Sequence, residues 1–372
     1  MKFSCLRQEF LYGLNLAAKA TSSANSAFPI LETILVHAKD NVLTLTGNTS
    51  EVAAIATLPG NVFQSGEIAV NAKIICEIIR RLSDDIVHFE LTDNFNIQIF
   101  CGESNFNIIG LSGEDFPTLP SVADANSFSI DKELLFTLIK QTTFAVATND
   151  IKPILTGVKF EIQPGNITAV ALDGYRLALT KYPFVYDGAV QNCVIPGRYL
   201  NDLYKMMSEI EDEQIKVSIT NKFVMFQFDN CRFMTRTLDG EFMNYDPIIP
   251  KSFKLDVVVN AADFMHCIER VSLIAEFSQS EKAPIKLVLS DGKLTASCIS
   301  GKGTVKDTLP IEGEVDEVLE MGINHRFLMD ALRNIKDEKI RLQFNENINP
   351  VIITAPEKED FLFLILPVRL RG

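Results

Sequence analysis

The sequence predicts an α+β protein built from three tandem copies of one unit, in which helices pack on antiparallel sheets. Two observations support this fold class. Each third of the 372-residue chain contains two helical patterns with matching apolar positions. Alternating apolar runs such as IKVSIT, FVMFQF, IRLQF and FNIQIF surround these patterns and are typical of half-buried strands.

The first helix of each copy is predicted from three apolar residues at positions i, i+1 and i+4, which share one helix face. The three triplets are Phe10, Leu11 and Leu14; Leu134, Leu135 and Leu138; and Phe264, Met265 and Ile268. The same helix therefore recurs in each third of the chain.

The second helix of each copy has apolar residues at i, i+1, i+4, i+5 and i+8, which also form one face. The sets are Ile74, Ile75, Ile78, Ile79 and Leu82; Tyr199, Leu200, Leu203, Tyr204 and Met207; and Phe327, Leu328, Ala331, Leu332 and Ile335. These repeats predict domains at residues 1–124, 128–250 and 254–372, each long enough to bury its own core.

Cations recur seven positions apart on every second helix and indicate a nucleic-acid surface. The pairs are Lys73 and Arg80, Arg198 and Lys205, and Arg326 and Arg333. At 100° per residue each pair lies on one line, roughly opposite the apolar face. By contrast, residues 82–131 hold nine Asp or Glu and no Lys or Arg. This segregation answers the objection that a net charge of -13 argues against DNA binding.

A single helix of this kind is usually just a solvated face, but three matched pairs favour contact with phosphates. The sequence has no helix-turn-helix, zinc-finger or RNA-recognition signature, so backbone contact without base readout is expected.

No catalytic, metal or membrane signal accompanies these features. The seven cysteines and four histidines show no metal-ligand spacing, so we expect reduced thiols, no metal and no cofactor. The GKGT run at 301–304 lacks the rest of a phosphate loop and predicts a hairpin turn. No apolar run is long enough for a bilayer, and the start lacks a secretory core, so a cytoplasmic, non-enzymatic protein is predicted.

Two alternatives stay open at this point. One is an enzyme whose active site is assembled across domains and therefore leaves no local motif. The other is a tandem-repeat protein-binding scaffold that does not contact DNA.

Three segments, together with the three-unit layout, resemble the bacterial DNA polymerase III beta subunits, the sliding clamps. They are KPILTGVKFE at 152–161, ALDGYRLAL at 171–179 and LPVRL at 366–370, and the resemblance covers essentially the whole chain. It implies the DNA-clamp fold, with three similar domains in a crescent. Two crescents close head to tail into a homodimeric ring, with helices lining the hole around duplex DNA.

The resemblance also implies a processivity subunit without catalysis. Its expected partners are duplex DNA, bound topologically and independently of sequence, the DNA polymerase III catalytic subunit and the clamp loader complex. Other polymerases and repair proteins are expected to bind through short linear motifs.

Site residues follow from the same resemblance. The partner-peptide pocket is expected to use Leu155, Gly174, Tyr175, Arg176, Leu177, Met243, Ile248, Leu364, Leu366, Pro367, Val368, Arg369 and Leu370. The DNA-contact residues it implies are Lys73, Thr148, Asn149, Lys152, Pro153 and Arg198; Arg80, Lys205, Arg326 and Arg333 come from the helix geometry. The dimer interface is expected to pair the strand of Phe106 and Ile108 with the region of Leu273 and Ile274. Gly174 is expected to permit a tight turn, and Arg176 to hold the pocket wall or to bond a peptide carbonyl.

The chain departs from its relatives at several positions. Met243 replaces a common proline, Asp246-Pro247 stands where relatives carry polar or basic residues, and Asn25 stands where they often carry arginine. Arg371 and Gly372 extend beyond the usual end.

The expected interface carries a further departure. Glu103 and Asn105 occupy positions where relatives often carry cations, while Lys302 and Lys306 lie in the segment expected opposite. The hypothesis is that the ion pairs of the ring interface have swapped sides.

Overall fold

The computed structural model describes residues 1–22, 27–119, 127–149, 151–208, 210–276 and 284–370. Asn25 and the Arg371–Gly372 extension lie outside these ranges. The chain divides into two compact units. The first comprises Met1–Leu135 with Arg198–Thr237, and the second comprises Phe136–Gly197 with Leu238–Gly372.

Within the described residues, each predicted repeat forms two α-helices. They are α1 (Arg7–Ala18), α2 (Ala72–Arg81), α3 (Lys132–Lys140), α4 (Gly197–Met207), α5 (Ala261–Glu276) and α6 (His325–Leu332).

The strands are all antiparallel to their neighbours. Those of the first repeat are β1 (Lys2–Leu6), β2 (Thr33–Lys39), β3 (Val42–Asn48), β4 (Val52–Pro59), β5 (Asn61–Gln64), β6 (Gly66–Asn71), β7 (Ile86–Leu91), β8 (Asn96–Cys101) and β9 (Ser104–Ile109). Those of the second are β10 (Ser127–Asp131), β11 (Gly157–Gln163), β12 (Gly165–Leu172), β13 (Arg176–Phe184), β14 (Gln191–Pro196), β15 (Gln214–Ile219), β16 (Phe223–Phe228) and β17 (Cys231–Arg236). Those of the third are β18 (Leu255–Asn260), β19 (Ile285–Ser290), β20 (Lys293–Ser300), β21 (Gly303–Pro310), β22 (Leu319–Ile323), β23 (Lys339–Phe344), β24 (Val351–Thr354) and β25 (Phe361–Ile365).

The first unit contains a five-stranded sheet, in the order β5-β1-β7-β8-β9, and an eight-stranded sheet. The larger sheet runs β10-β15-β16-β17-β4-β3-β2-β6, so strands of the second and first repeats form one continuous sheet. Their junction is the pairing of β17 with β4, in which Phe233 lies opposite Ala54. Backbone hydrogen bonds therefore join the two repeats.

The second unit is built in the same way. Its eight-stranded sheet runs β14-β11-β12-β13-β25-β24-β23-β18, and its four-stranded sheet runs β21-β20-β19-β22. The junction here is the pairing of β13 with β25, which joins the second repeat to the third.

Helices cover the sheets with the faces that the apolar spacing predicted. Phe10 and Leu14 of α1 and Phe264 and Ile268 of α5 are buried. Asparagine residues start the second helices of the first and third repeats: the Asn71 side chain accepts a hydrogen bond from the Ile74 amide, at 3.1 Å. The Asn324 side chain does the same for the Arg326 amide, at 3.0 Å. Such caps satisfy amides that the helix itself leaves unpaired.

One helix position differs from the prediction. Ile74 belongs to the predicted apolar face of α2, but its side chain is 49% exposed. It lies in the first turn, three residues after the capping Asn71, and at the margin of the apolar arc. Its side chain therefore faces solvent. Ile75 and Ile79 of the same set are buried as predicted.

The structure also shows the state of the cysteines and confirms the predicted hairpin turn. All seven cysteines are free thiols. The GKGT run turns between β20 and β21, as expected for a hairpin. Across the described ranges, the structure has no cluster of three side chains suited to a metal ion. No helix within those ranges is long and apolar enough to cross a membrane.

Candidate peptide pocket and nucleic-acid interface

The floor of the candidate pocket is a row of apolar side chains that crosses four neighbouring strands of the second unit. Leu172 lies opposite Leu177 on β12 and β13. Leu177 lies opposite Leu364 on β25, and Leu364 lies opposite Ile352 on β24. All four are buried. The strand register thus places side chains from two repeats in one apolar surface.

The walls come from segments outside those strands. Leu155 and Phe242 are buried in the same apolar cluster, and Leu238, Tyr245 and Leu366 pack against it while partly exposed. Four residues expected at the pocket therefore belong to this one cluster: Leu155, Leu177, Leu364 and Leu366. The expected rim residues Met243 and Ile248 are exposed.

Gly174 forms a tight turn at one end of the floor. Its φ is +90°, a conformation that side-chain-bearing residues rarely adopt, and the space where a Cβ would lie is empty. The Asp173 carboxylate accepts hydrogen bonds from the amides of Tyr175, at 2.9 Å, and Arg176, at 3.0 Å. The glycine is therefore required by backbone conformation, with Asp173 closing the turn.

Arg176 is fixed in the pocket wall by two carboxylates. Its side chain is only 9% exposed, its Nε donates to Asp173 Oδ2 at 3.1 Å, and an Nη donates to Asp330 Oδ2 at 2.6 Å. The guanidinium carbon lies 4.5 Å from the centre of the Phe327 ring and 5.6 Å from that of Phe144. Of the two roles expected for Arg176, this geometry favours holding the wall.

The segment after β25 closes the other side. The Leu366 amide donates to the Tyr175 carbonyl at 2.9 Å, and the Val368 amide donates to the Gly322 carbonyl at 2.8 Å. A Cβ at Gly322 would lie 2.3 Å from the Val368 oxygen, so only glycine allows this approach. Pro367 and Val368 are half-buried, and Arg369 and Leu370 are exposed.

Tyr175 stands at the rim, where it is 63% exposed and stacks on Phe327 with the ring centres 6.2 Å apart. A peptide groove usually combines apolar side chains with an exposed aromatic residue and a few polar rim groups, and these elements adjoin one another here. The second unit therefore presents a surface suited to an extended peptide with apolar side chains.

Sequence reasoning did not identify several residues of this surface, namely Phe144, Leu172, Asp173, Phe242, Phe327, Asp330 and Ile352. The alternation in ALDGYRL contains a signal for Leu172, because it lies on the same face as Leu177 across the turn. Asp330 and Phe327 lie on α6, far along the chain from Arg176, so no local pattern connects them.

The six cations predicted on the second helices are all exposed. They are Lys73 and Arg80 on α2, Arg198 and Lys205 on α4, and Arg326 just inside and Arg333 just after α6. Lys19, Lys140 and Arg270 of the first helices are exposed as well. Arg80 forms an ion pair with Glu77, and Arg198 forms one with Glu51. Each helix therefore buries one face and presents cations on another.

The loop with the other candidate DNA contacts has two faces. Thr148, Asn149, Lys152 and Pro153 are exposed. Leu155, a few residues later, enters the apolar cluster of the pocket, and its carbonyl accepts the Ala147 amide at 2.8 Å. The loop thus presents polar groups to solvent while its end is anchored in the core.

The expected interface residues lie on or next to strands at the edges of two sheets. β9, with Phe106 and Ile108, is the last strand of its sheet, and β21 is the first strand of the four-stranded sheet. Leu273 of α5 is exposed, and Ile274 contacts the start of β21, since a Cβ at Gly303 would lie 3.7 Å from it. An edge strand leaves backbone donors and acceptors unpaired, so it can add a further strand.

Comparison with known proteins identifies relatives of the whole chain. Models of the DNA polymerase III beta subunit match in succession: the N-terminal domain at residues 1–120, the central domain at 129–244 and the C-terminal domain at 246–369.

Individual proteins that resemble the chain belong to the same family as these models. The beta sliding clamp of Staphylococcus epidermidis is 30% identical over 378 residues and 99% of both chains. That of Halalkalibacterium halodurans is 32% identical over 381 residues, 99% of this chain and 100% of the relative. The crystal structure of the DNA polymerase sliding clamp from Bacillus subtilis matches with a TM-score of 0.94 at 29% identity, over 100% of both chains. A putative DNA polymerase III beta subunit from Eubacterium rectale matches with a TM-score of 0.94 at 31% identity, again over 100% of both.

Proposed function

The chain belongs to the DNA polymerase III beta subunit family, the beta sliding clamps, and we propose that it encircles duplex DNA and tethers a replicative polymerase to it. Members of this family are processivity subunits without catalytic activity of their own, so the chemistry belongs to the partner enzyme. The three repeats are proposed to be domains at residues 1–124, 128–250 and 254–372.

The observation that supports DNA contact most directly is the recurrence of exposed cations on α2, α4 and α6. Six Lys or Arg side chains at matched positions are open to phosphates from solvent, whereas residues 82–131 hold nine Asp or Glu and no Lys or Arg. Contacts of this kind are independent of sequence and weaken with salt. A ring needs only weak contacts, because closure around the duplex keeps it bound.

Ring closure is proposed to occur between two copies of the chain, through β9 of one and β21 of the other. Both strands lie at sheet edges, and apolar side chains accompany each: Phe106 and Ile108 on one side, Leu273 and Ile274 on the other. Antiparallel addition at the two edges would extend each sheet across the boundary and satisfy the open backbone groups.

Partners are proposed to bind the pocket of the second unit through a short linear motif with apolar side chains. The polymerase III catalytic subunit, the clamp loader complex, other polymerases and repair proteins would compete for it. The floor of Leu172, Leu177, Ile352 and Leu364 would take the apolar side chains, and Tyr175, Met243 and Ile248 would cover them. The cytoplasm is the proposed compartment.

Primer extension on a long, singly primed DNA circle tests this function. With the cognate polymerase and the clamp-loading ATPase present, the chain should lengthen the product made in one binding event. Phe106→Asp, which places a charge at the proposed ring boundary, should abolish the gain while its circular dichroism spectrum stays native. If products keep the same length with and without the wild-type chain, the proposal is wrong. The scaffold alternative predicts that result, because it involves no contact with DNA.

A further inference from the structure

A carboxylate from the first repeat is bound to the first cation of α4. Glu51 precedes β4, and its Oε2 accepts hydrogen bonds from Arg198 and from the Tyr199 hydroxyl, the latter at 2.9 Å. The Arg198 guanidinium carbon also lies 4.5 Å from the centre of the Tyr199 ring. Arg198 is thus held by a carboxylate on one side and an aromatic ring on another.

The position of Glu51 is determined by its backbone. Its carbonyl accepts the Arg236 amide at 2.7 Å, next to the β17–β4 junction. Ser50 before it has a φ of +70°, and its amide donates to the buried Asn48 side chain at 2.9 Å. That same Asn48 side chain donates to the Pro117 carbonyl at 3.1 Å. The turn therefore holds the backbone of Glu51 in a fixed position, from which its carboxylate reaches Arg198.

The ion pair itself is open to solvent. The side chains of Arg198 and Glu51 are 67% and 58% exposed, so water screens their attraction and the pair contributes little to stability. A guanidinium binds a phosphate with the same donors that it offers a carboxylate. A DNA phosphate at this position would therefore exchange with Glu51 for the same hydrogen bonds.

We propose that Glu51 is a built-in counter-charge that competes with DNA phosphates for Arg198 and so limits how tightly α4 holds the duplex. The inference rests on the proposed function, since it needs DNA at the cationic helices. A sliding protein benefits from such a limit, because each phosphate contact must break again at every step along the backbone.

A second carboxylate lies among the same cations. Asp202 of α4 is half-buried, and burial raises the pKa of its carboxyl group. The positive charges of Lys19, Lys205 and Arg198 oppose that rise in the pKa. Cations and carboxylates are therefore interspersed on this part of the first unit, so its net attraction for phosphate is weaker than its cations alone would give.

Fluorescence anisotropy with a labelled linear duplex at low salt tests the proposal on the full chain. Glu51→Gln should bind the duplex about two- to fivefold more tightly than wild type, because Arg198 no longer has a charged competitor. Glu51→Ala should change the affinity in the same direction. Glu346→Gln is the matched control, because Glu346 follows β23 and pairs with Lys254 at 3.0 Å with side chains 58% and 68% exposed.

The double variant E51Q/R198Q separates the outcomes. If Glu51 acts through Arg198, the gain of E51Q disappears in the R198Q background. An equal gain in both backgrounds, or an E51Q variant that binds no more tightly than E346Q, overturns the inference. Failure of the proposed function has a different signature, because Arg198→Gln alone would then leave the affinity for DNA unchanged.

Discussion

Leu177 and Leu364 lie opposite each other on the adjacent antiparallel strands β13 and β25, although they belong to different repeats of the chain. Their pairing creates the floor of the candidate peptide pocket and at the same time joins the second repeat to the third. Pocket shape and the integrity of the second unit therefore depend on the same strand pairing.

Met243→Asp should reduce the affinity for an apolar partner peptide at least about tenfold, because it places a charge at the rim of an apolar groove. Met243 is exposed, so the melting temperature should stay within a degree or two of wild type. Titration of a labelled peptide measures the affinity. Val185→Asp, a fully exposed position of the same unit, is the control. Equal affinities for the two variants would show that peptides bind elsewhere.

Arg176→Ala should lower the free energy of unfolding by about 1–3 kcal/mol, since Asp173 and Asp330 lose a charged donor. Arg176→Lys should recover only part of this, because an ammonium cannot reproduce the forked geometry. Chemical denaturation provides the measurement, with the exposed Arg369→Ala as the reference. A wild-type midpoint for Arg176→Ala would mean that the two carboxylates do not depend on it.

The double variant R326Q/R333Q should bind linear duplex more weakly, and its affinity should fall less steeply with salt. The slope of log K against log salt should decrease by about one for each phosphate that the variant no longer neutralises. The control is K254Q/K339Q, which removes the same charge from two exposed lysines of the same repeat. If both pairs change the slope equally, net charge explains the effect and α6 has no special role.

The double variant K302E/K306E should weaken the dimer at low salt if the interface ion pairs have swapped sides. Both lysines are exposed on or beside the edge strand β21, and Glu103 is exposed beside the edge strand β9. Sedimentation equilibrium gives the dimer constant, and Lys293→Glu serves as a control on β20. An unchanged constant would remove the swapped-pair hypothesis and leave the strand edges as the basis of association.

Four buried thiols should resist alkylation in the native state. Burial raises the pKa of Cys5 and Cys231 to about 12 and that of Cys76 and Cys267 to about 11, from an ordinary value of 9.0. At pH 8.5 almost no thiolate forms in the folded protein, so iodoacetamide should label these four only after denaturation. Peptide mapping by mass spectrometry measures which cysteines are labelled. Rapid native labelling of these residues would contradict their burial.

The same thiols link stability to alkaline pH. Between pH 9 and about 12 the unfolded state loses protons that the folded state keeps. The free energy of unfolding therefore falls as the pH rises through that window. Below pH 9 the thiols are protonated in both states, so they do not change the stability. Denaturation midpoints should accordingly be lower at pH 10.5 than at pH 8.

Helix faces were predictable from sequence because their determinants are local. The spacing of Lys73 and Arg80 relative to Ile75 and Ile79 determines which side of α2 is exposed, whatever else surrounds it. Ile74 differs from the prediction because it lies at the margin of the apolar arc, where the angle alone does not decide burial.

Pairings between distant segments were not predictable in this way. The pairing of β13 with β25 relies on backbone hydrogen bonds, which leave no side-chain pattern to read. Asp330 reaches Arg176, and Glu51 reaches Arg198, only because the fold brings separate repeats together. A family resemblance predicts the pocket residues, whereas the two carboxylates that hold Arg176 are visible only in the structure.

The most direct test of the central claim is retention on DNA of different topology. After loading onto a nicked circular plasmid, the chain should stay with the plasmid through gel filtration at a salt concentration that abolishes binding to linear DNA. Cutting the circle once with a restriction enzyme should release it, because a closed ring slides off a free end. Equal retention before and after the cut, or no retention on the circle, would contradict encirclement.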